Sequence, residues 1–188
     1  MRQLNAIVQT SLDGFVAGVK GEFDNFIGGE ENLGFVCGII DEADAIMLGR
    51  NSFELLNAYW PTAANRPEAT KNEIKYSNWY NSASKTVVSG TMKPNNGVHI
   101  LNEINPSTLN EIKSRNGKNI LIFGSPTVVH QLLDSNLIDN IWLIVHPVIF
   151  GNGIPLFRTR NQVIKAKLLQ SSQLSNGTLC SKYSMNDH

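Results

Sequence analysis

The stretch from residue 119 to residue 157 constrains the fold of this chain more than any other. It opens with Ile120 to Phe123, a short and wholly apolar run that is typical of a strand buried on both faces of a sheet. A helix is predicted next, because Pro126 suits a first helical position. Apolar residues follow it at helical spacing: Val128, Val129, Leu132 and Leu133. Ile141 to Val145 is a second apolar run, so the pattern predicts a strand–helix–strand unit with parallel strands and a right-handed crossover.

The turn between that first strand and its helix is a candidate anion site. At Gly124 and Ser125 a helix begins with unpaired N–H groups and the positive end of its dipole. Ser125 is able to cap this helix, and Gly124 lets a ligand approach the main chain. Many strand-to-helix turns share these features and bind nothing, so the turn alone does not establish a phosphate site. Asn136 is the expected end of the helix.

Composition predicts a single domain spanning residues 1–188. The chain is 41% hydrophobic and 17% charged, which is enough for an ordinary core and excludes a disordered or highly charged protein. Sixteen basic residues balance sixteen acidic ones. A formal net charge of zero argues against nucleic acid or an anionic membrane as a general partner, whereas a small anionic ligand held by local groups remains open.

Cysteine and histidine usage predicts no disulfide and no metal site. Cys37 and Cys180 are far apart and form no Cys-x-x-Cys pair, which indicates two buried free thiols in a reducing cytoplasm. No metal-ligand spacing relates the histidines, which are His99, His130, His146 and His188. The N-terminus shows no signal-peptide pattern, and no apolar run is long enough to span a bilayer. We therefore expect a cytoplasmic protein.

The N-terminal third predicts a strand, a glycine-rich segment and a second strand-to-helix turn. The strand is Leu4 to Thr10, and the segment that follows, residues 11–34, is either a lid or binding loop or a simple surface excursion. A helix over Phe35 to Ala43 precedes a buried strand over Ala45 to Leu48.

The second turn comprises Gly49, Arg50, Asn51 and Ser52. Asn51 or Ser52 is a candidate cap for a helix that begins near Phe53. Arg50 stands where a guanidinium could grip a phosphate with two hydrogen bonds, the alternative being a solvated arginine or a surface ion pair.

The rest of the chain predicts further strands and helices and a final hairpin. We expect a helix over residues 68–79, strands over residues 86–89 and 98–101, and a helix from Pro106 toward Arg115. Two extended strands over residues 163–174 and 178–185 close the chain. Asn176-Gly177 between them is a strong signal for a two-residue hairpin turn.

Three predicted strand ends carry turns that suit a ligand. They are Gly49-Arg50-Asn51-Ser52, Ser89-Gly90-Thr91 and Gly124-Ser125-Pro126-Thr127. In an open α/β sheet, ligands bind outside the carboxyl ends of the strands. Two helix N-termini with one arginine therefore predict a pocket for a pyrophosphate. The chain shows neither a Walker phosphate loop nor a G-x-S-x-G nucleophile elbow.

An ordered set of motifs covers nearly all of the chain: SLDGFVAG, DAIMLGRNSFE, YWP, KTVVSG, ILIFGSPTVVHQLL and LIDNIWLIVHPVIFGNGIPLF, followed by the final hairpin. In this order they resemble the dihydrofolate reductase superfamily, and more closely the RibD C-terminal domain family of riboflavin biosynthesis reductases. The resemblance implies an α/β fold in which helices flank a mostly parallel central sheet with an antiparallel C-terminal hairpin. It also implies NADPH as hydride donor and a homodimer that uses the C-terminal strands.

The resemblance also implies where the cofactor binds. Gly49, Arg50, Asn51 and Ser52 match the cofactor-phosphate turn, with Arg50 suited to the 2′-phosphate. Ser89, Gly90 and Thr91 match the adenosine side, and Phe123, Gly124, Ser125, Pro126, Thr127 and Val128 match the pyrophosphate turn. Val8 and Gln9 match the strand whose backbone meets the nicotinamide amide, and Asp13 and Gly14 match the loop that covers it.

One expected feature has no clear match, namely the buried acid that holds the pterin in true dihydrofolate reductases. Four acids lie in the right region but sit in no convincing helix pattern: Glu22, Asp24, Glu30 and Glu31. Dihydrofolate is therefore not the expected substrate.

The leading functional hypothesis is an NADPH-dependent reductase of a small heterocycle of the pteridine, pyrimidine or riboflavin-precursor type. Asp13 is the candidate catalytic residue, as a polar substrate contact or a proton relay, and its alternative role is to form the turn before Gly14. Two other hypotheses stay open at this point. One is a nucleotide-binding module on the same fold without turnover, and the other is a structural homodimer with vestigial turns.

Overall fold

Strands and helices alternate along the chain in a computed structural model that describes residues 1–93, 97–159 and 163–185. The strands are β1 (Leu4–Thr10), β2 (Phe15–Ala17), β3 (Ala43–Gly49), β4 (Ser84–Val88), β5 (Val98–Leu101), β6 (Asn119–Phe123), β7 (Asn140–Val145), β8 (Ile154–Pro155), β9 (Lys167–Gln173) and β10 (Leu179–Ser184). The helices are α1 (Glu30–Ile40), α2 (Arg50–Ala63), α3 (Lys71–Ser82), α4 (Pro106–Ser114) and α5 (Pro126–Asp134). The predicted bounds of β1 and β5 are confirmed.

Eight strands form one sheet in the order β5-β4-β3-β6-β1-β7-β10-β9. Every pair from β5 to β7 is parallel, whereas β10 is antiparallel to both β7 and β9. The predicted fold class is therefore confirmed, including the antiparallel C-terminal hairpin. The strands of the predicted β6–α5–β7 unit are parallel as expected, but β1 lies between them and pairs with both.

Alternating side chains of the central strands build one apolar core on each face of the sheet. On the first face, Ile7, Ile46 and Leu121 belong to a cluster to which α1, α2 and α3 also contribute buried residues. On the second face, Val8 and Met47 belong to the cluster of α4 and α5. Successive residues of a strand point to opposite faces, so the wholly apolar runs of the sequence are explained by burial on both sides.

The helix starts differ from their predicted positions because the caps differ. Helix α1 begins at Glu30 rather than Phe35, since two acids in its first turn suit the positive end of the helix. Helix α2 begins at Arg50 with Gly49 as its N-cap, so the predicted caps Asn51 and Ser52 are wrong. Helix α3 begins at Lys71 rather than residue 68, because Thr70 and Glu73 form a capping box.

The segment predicted as a glycine-rich loop contains a short strand that the sequence did not indicate. Strand β2 pairs with β8, and this two-stranded sheet ties the segment after β1 to the segment after β7. At the C-terminal hairpin, β9 begins at Lys167 rather than residue 163. The predicted hairpin is confirmed, but its turn is not the predicted two-residue turn. Leu174 pairs with Thr178, whose carbonyl accepts from the N–H of Leu174 at 2.9 Å, so the loop has three residues. Gly177 ends it with a φ of 85°, and its N–H donates to the carbonyl of Leu174 at 3.0 Å.

The two cysteines are free and buried, as predicted. Over the three described ranges, no helix combines the length and apolar character needed to cross a membrane.

Asp139 anchors the edge of the sheet opposite the carboxyl ends of the parallel strands. Its carboxylate accepts a hydrogen bond from the N–H of Leu4 at 2.7 Å and one from the Nζ of Lys113 at 2.7 Å. The side chains of Lys113 and Asp139 are only 12% and 16% exposed. Asp139 directly precedes β7, so its carboxylate links the start of β7 to the start of β1 and to α4.

We expect Asp139→Ala to lower the free energy of unfolding by about 2–4 kcal/mol, because it leaves the largely buried ammonium of Lys113 and the backbone N–H of Leu4 without this acceptor. Asp41→Ala is the matched control, since Asp41 pairs with Lys75 where the two side chains are 58% and 44% exposed. That exposed pair should contribute less than about 1 kcal/mol. Urea unfolding of both variants measures the difference, and equal losses would contradict the anchoring role of Asp139.

Candidate active site

The carboxyl ends of β3 and β6 form a switch point in the sheet. These strands are neighbours, but the chain leaves β3 into α2 on the first face and leaves β6 into α5 on the second face. Because the two helices diverge to opposite sides, a crevice opens between their N-termini. Crevices of this kind are where open α/β sheets bind ligands.

The two turns that border this crevice are in direct contact. A Cβ placed on Gly49 would lie 2.3 Å from the Oγ and 2.5 Å from the Cβ of Ser125. A Cβ on Gly124 would lie 3.4 Å from the Oγ of Ser52. Each glycine therefore admits the other turn, and the backbones of the predicted phosphate turn and pyrophosphate turn lie side by side.

Neither helix that begins at the crevice is capped by a side chain. The N-cap of α2 is Gly49, which has no side chain. Ser125 occupies the N-cap of α5, but its side chain accepts no capping hydrogen bond, so the prediction that Ser125 caps this helix is wrong. By contrast, Thr70 caps α3 and Asn105 caps α4. Helix α1, which begins away from the crevice, also lacks a side-chain cap, because Gly29 is its N-cap. At the crevice two such helix starts meet, so a single anion would supply an acceptor to the first N–H groups of both α2 and α5.

The pyrophosphate turn carries backbone strain. Gly124 has a φ of 59°, and Ser125, which has a side chain, has a φ of 52°. A residue other than glycine in this region costs energy and recurs where a ligand is gripped. Pro126 at the first helical position adds no N–H, whereas Thr127 is exposed beside it.

Arg50 connects the phosphate turn to the third predicted turn. Its Nε donates to a carboxylate oxygen of Glu54 at 2.7 Å, and its Nη1 donates to the Oγ1 of Thr91 at 3.3 Å. Ser89 shapes that third turn, because its Oγ accepts hydrogen bonds from the N–H groups of Thr91 and Met92. Gly90 is exposed between them. The structure thus brings the three predicted turns to one edge, with Arg50 spanning two of them.

The end of β1 leaves part of its main chain open toward the pyrophosphate turn. The ladder between β1 and β6 ends at Ile7 and Phe123, whereas the ladder between β1 and β7 continues to Thr10 and Val145. Residues 8–10 therefore have a strand partner on one side only. This places the backbone of Val8 and Gln9 beside the turn at Gly124, where an amide-bearing ring would find polar partners.

Three predicted cofactor residues offer a ligand only their main chain. The side chains of Val8 and Val128 are buried in the core of the second face. The ring of Phe123 packs against Tyr76 and Trp79, with centroids 5.9 and 6.0 Å apart.

Asp13 clamps two loops together. Its carboxylate accepts hydrogen bonds from the N–H groups of Phe150 at 3.1 Å and Gly151 at 2.7 Å. The side chain of Ser11 and these two backbone groups hold the pKa of Asp13 below its usual value. Gly14 follows in a turn with a φ of 83°. Both oxygens of this ionised carboxylate have partners, which favours a positioning role.

The acids considered for pterin binding have protein partners. The prediction that none sits in a helix is wrong for Glu30 and Glu31, which form the first turn of α1. Glu31 accepts hydrogen bonds from the N–H and Oγ of Ser175, which lower its pKa. Glu30 accepts from the Oγ1 of Thr70.

A polar pair near the switch point was missed. His146 follows β7 directly and is buried, and its Nε2 lies 2.9 Å from the Oε1 of Gln9. The available signal was its position, one residue past an apolar strand, as Gly124 is past β6. Separately, a cavity of about 530 Å³ lies between the segments that follow β2 and β7, and no predicted cofactor residue lines it. Within the described ranges no group of three or more His, Cys, Asp and Glu side chains could hold a metal ion, and His188 lies outside those ranges.

Comparison with known proteins gives one family and one fold. The family model described as the RibD C-terminal domain matches residues 2–180. The uncharacterized protein YyaP of Bacillus subtilis (strain 168) is 30% identical over 188 residues, covering 98% of this chain and 96% of that protein.

Two solved structures share the fold at low sequence identity. A pyrimidine reductase-like protein from Corynebacterium diphtheriae is 19% identical with a TM-score of 0.70, covering 100% of this chain and 93% of that one. Dihydrofolate reductase from Enterococcus faecalis, solved as a complex with NADP(H), is 13% identical with a TM-score of 0.64, covering 98% and 97%.

We expect Gly49→Ala to destabilise the protein by about 1–3 kcal/mol, because the new methyl group overlaps Ser125 and forces the two turns apart. The backbone of Gly49, with φ −76° and ψ 161°, suits alanine, so the loss would be steric. Adding Ser125→Gly removes both overlapping atoms and should restore most of the stability. Urea midpoints of the single and double variants measure this, and a double variant as unstable as Gly49→Ala would contradict the contact.

Proposed function

The chain belongs to the RibD C-terminal domain family, and on that premise we propose that it is an NADPH-dependent reductase of a small heterocyclic substrate. The family and its fold neighbours indicate an oxidoreductase in general. The observation that carries the finer proposal is the contact between two helix N-termini without side-chain caps across the β3–β6 switch point. The substrate is proposed to be of the pteridine, pyrimidine or riboflavin-precursor type.

The diphosphate of NADPH is proposed to lie across the two touching turns. The main chain of Gly49, Asn51 and Ser52 would meet one phosphate, and that of Gly124 to Val128 the other. Arg50 is exposed and already reaches Thr91, so its guanidinium stands where the 2′-phosphate of the adenosine half would lie. Ser89, Gly90 and Thr91 would line that half. The complex of the Enterococcus faecalis enzyme with NADP(H) supports this choice of cofactor.

The nicotinamide ring is proposed to lie at the end of β1. The main chain of Val8 and Gln9, which has no β6 partner there, would bond its carboxamide. The loop that begins at Asp13 and Gly14 would cover the ring, held by the clamp from Asp13 to residues 150 and 151. The cofactor supplies the hydride, and the protein orients the ring and excludes water. The proton that completes the reduction is proposed to come from water.

Dihydrofolate is not the substrate we propose. Glu30 and Glu31 stand at the start of α1, but their carboxylates bond Thr70 and Ser175. These acids are therefore committed to the fold, which favours a heterocycle recognised by neutral groups.

A homodimer through the C-terminal strands is part of the proposal. Strand β9 is the edge of the sheet, and six of its seven residues are exposed. Leu168 and Leu169 are 52% and 48% exposed on it. An exposed edge strand with apolar side chains is favourable for pairing with a second copy.

A nucleotide-binding module without turnover is the second candidate. The carboxylates of Glu30 and Glu31 accept hydrogen bonds from Thr70 and Ser175. This favours the binding module, because neither carboxylate is then free to bind a substrate. Dinucleotide binding alone does not distinguish it from the reductase.

We expect Arg50→Ala to weaken NADPH binding by about 1.5–3 kcal/mol and to leave NADH binding nearly unchanged, because only NADPH carries the 2′-phosphate. Arg66→Ala is the matched control, since Arg66 is an exposed arginine that pairs with Glu68. Titration of nucleotide fluorescence measures both affinities. An equal loss for NADPH and NADH, or no loss for either, would show that Arg50 does not read the 2′-phosphate.

We expect the purified protein to oxidise NADPH only when a suitable heterocycle is added. The measurement follows the near-ultraviolet absorbance of NADPH across a panel of pteridines, pyrimidines and riboflavin precursors, with dihydrofolate included. Tight NADPH binding with no oxidation across the panel would favour the binding module. Failure to bind NADPH at all would overturn both candidates.

A further inference from the structure

Gln9 and His146 form a polar pair at the carboxyl edge of the first face of the sheet, directly after the apolar Ile7 and Ile144. Gln9 follows Ile7 at the two-residue period of β1, and His146 follows Ile144 at that of β7. The imidazole is fully buried, whereas Gln9 is exposed. The pair therefore has a buried member and a member that faces solvent at the carboxyl edge.

The imidazole is held in place from several sides. The ring of Phe26 lies against it with centroids 4.7 Å apart, and the ring of Phe150 lies against Phe26 at 5.0 Å. Burial lowers the pKa of His146, an effect that the backbone of Ile27 partly opposes. The ring is therefore neutral at pH 7 and carries one proton.

The position of that proton follows from the partner. Nε2 lies 2.9 Å from the carboxamide oxygen of Gln9, and with the amide in this orientation the oxygen accepts and Nε2 carries the proton. Nδ1 makes no hydrogen bond of standard geometry within the described residues, although the backbone of Ile27 raises the pKa of the same ring. With its oxygen bonded to His146, Gln9 presents its amide nitrogen, a donor of two hydrogen bonds, away from the imidazole.

The pair is not needed to join its two strands. Thr10 and Val145 already close the ladder between β1 and β7, and the N–H of His146 donates to the carbonyl of Thr10 at 2.8 Å. The hydrogen bond between the side chains of His146 and Gln9 therefore adds little to the pairing of the strands, and its main effect is to restrict the rotation of the Gln9 side chain. Such a restriction matters for a group that must meet a ligand in one orientation.

The place of Gln9 connects it to the crevice. Strand β1 lies directly beside β6, whose end carries the turn at Gly124. A ring bound against the free main chain of residues 8–10 would have the Gln9 side chain on the first face of the sheet. That face also carries α2, which begins at the crevice.

We infer that Gln9, oriented by His146, donates a hydrogen bond to a ring carbonyl of the substrate and so selects oxo-heterocycles over their amino counterparts. This inference rests on the proposed function and names the substrate class of that same site. His146 is the positioning residue, and Gln9 is the specificity-determining one. A site built to donate to a carbonyl rejects an analogue that offers an amino group there, because two donors would then face each other.

Binding to matched pairs of probes tests the inference. Pterin carries a ring carbonyl, and diaminopteridine carries an amino group in its place; uracil and cytosine form a second pair. Isotope-labelled protein is titrated with each probe by NMR, with and without saturating NADPH. We expect the carbonyl member of a pair to bind at least about tenfold more tightly and to shift the side-chain amide signal of Gln9.

Two variants separate recognition from packing. Gln9→Glu keeps an acceptor for His146 but presents a carboxylate oxygen to the ligand, so we expect the preference to reverse toward the amino member. His146→Phe keeps the aromatic volume and removes the donor, so the preference should fall to about threefold or less while NADPH affinity is retained. Gln131→Glu, at an exposed glutamine of α5, is the matched control and should change neither. If His146→Phe fails to fold, Gln9→Glu decides.

Three results would overturn the inference: equal binding of both members of each pair, no binding of any probe up to millimolar concentration, or imidazole nitrogen shifts that place the proton of His146 on Nδ1. The proposed function fails differently, through the absence of NADPH binding or oxidation by the wild-type protein. Probe binding without NADPH still measures the selectivity of Gln9 in that case.

Discussion

The contact between Gly49 and Ser125 is the constraint on which the rest of the site depends. A single methyl group at Gly49 would overlap Ser125, so the chain keeps glycine where β3 ends. Because the turns touch, the N-termini of α2 and α5 face one crevice although their helices lie on opposite faces of the sheet. The same closeness leaves Ser125 at a positive φ without a capping role. The strained backbone of Ser125 lowers stability locally, and it leaves helix N–H groups without side-chain acceptors in a position where an anion could accept their hydrogen bonds.

Much of this fold could be predicted from local pattern. Strands buried on both faces leave apolar runs, and turns leave glycine, proline and asparagine, so β1, β5 and the C-terminal hairpin were found, although the loop of the hairpin has three residues rather than two. The start of α1 was missed because Gly34 and Gly38 weaken its pattern, while packing of Val36 and Ile40 against the sheet maintains the helix. Strand β2 was missed because its partner, β8, is far along the chain.

The candidate site divides along the same line. The main-chain part of the site was predictable. Glycine and polar residues after apolar runs identify the turns after β3, β4 and β6, and parallel strands bring their carboxyl ends to one edge of the sheet. The side-chain part was not. That Glu31 bonds Ser175, that Asp13 bonds Gly151 and that His146 bonds Gln9 are contacts across more than a hundred residues. No local pattern encodes them, since they depend on how the loops pack.

The most direct test of this account is a crystal structure of the protein with bound NADPH. We expect the diphosphate against the main chain of residues 49–52 and 124–128, the 2′-phosphate beside Arg50, and the nicotinamide at the end of β1. A dinucleotide bound elsewhere, for example in the cavity between the segments that follow β2 and β7, would contradict this expectation. So would crystals that show no bound nucleotide at a saturating concentration of NADPH.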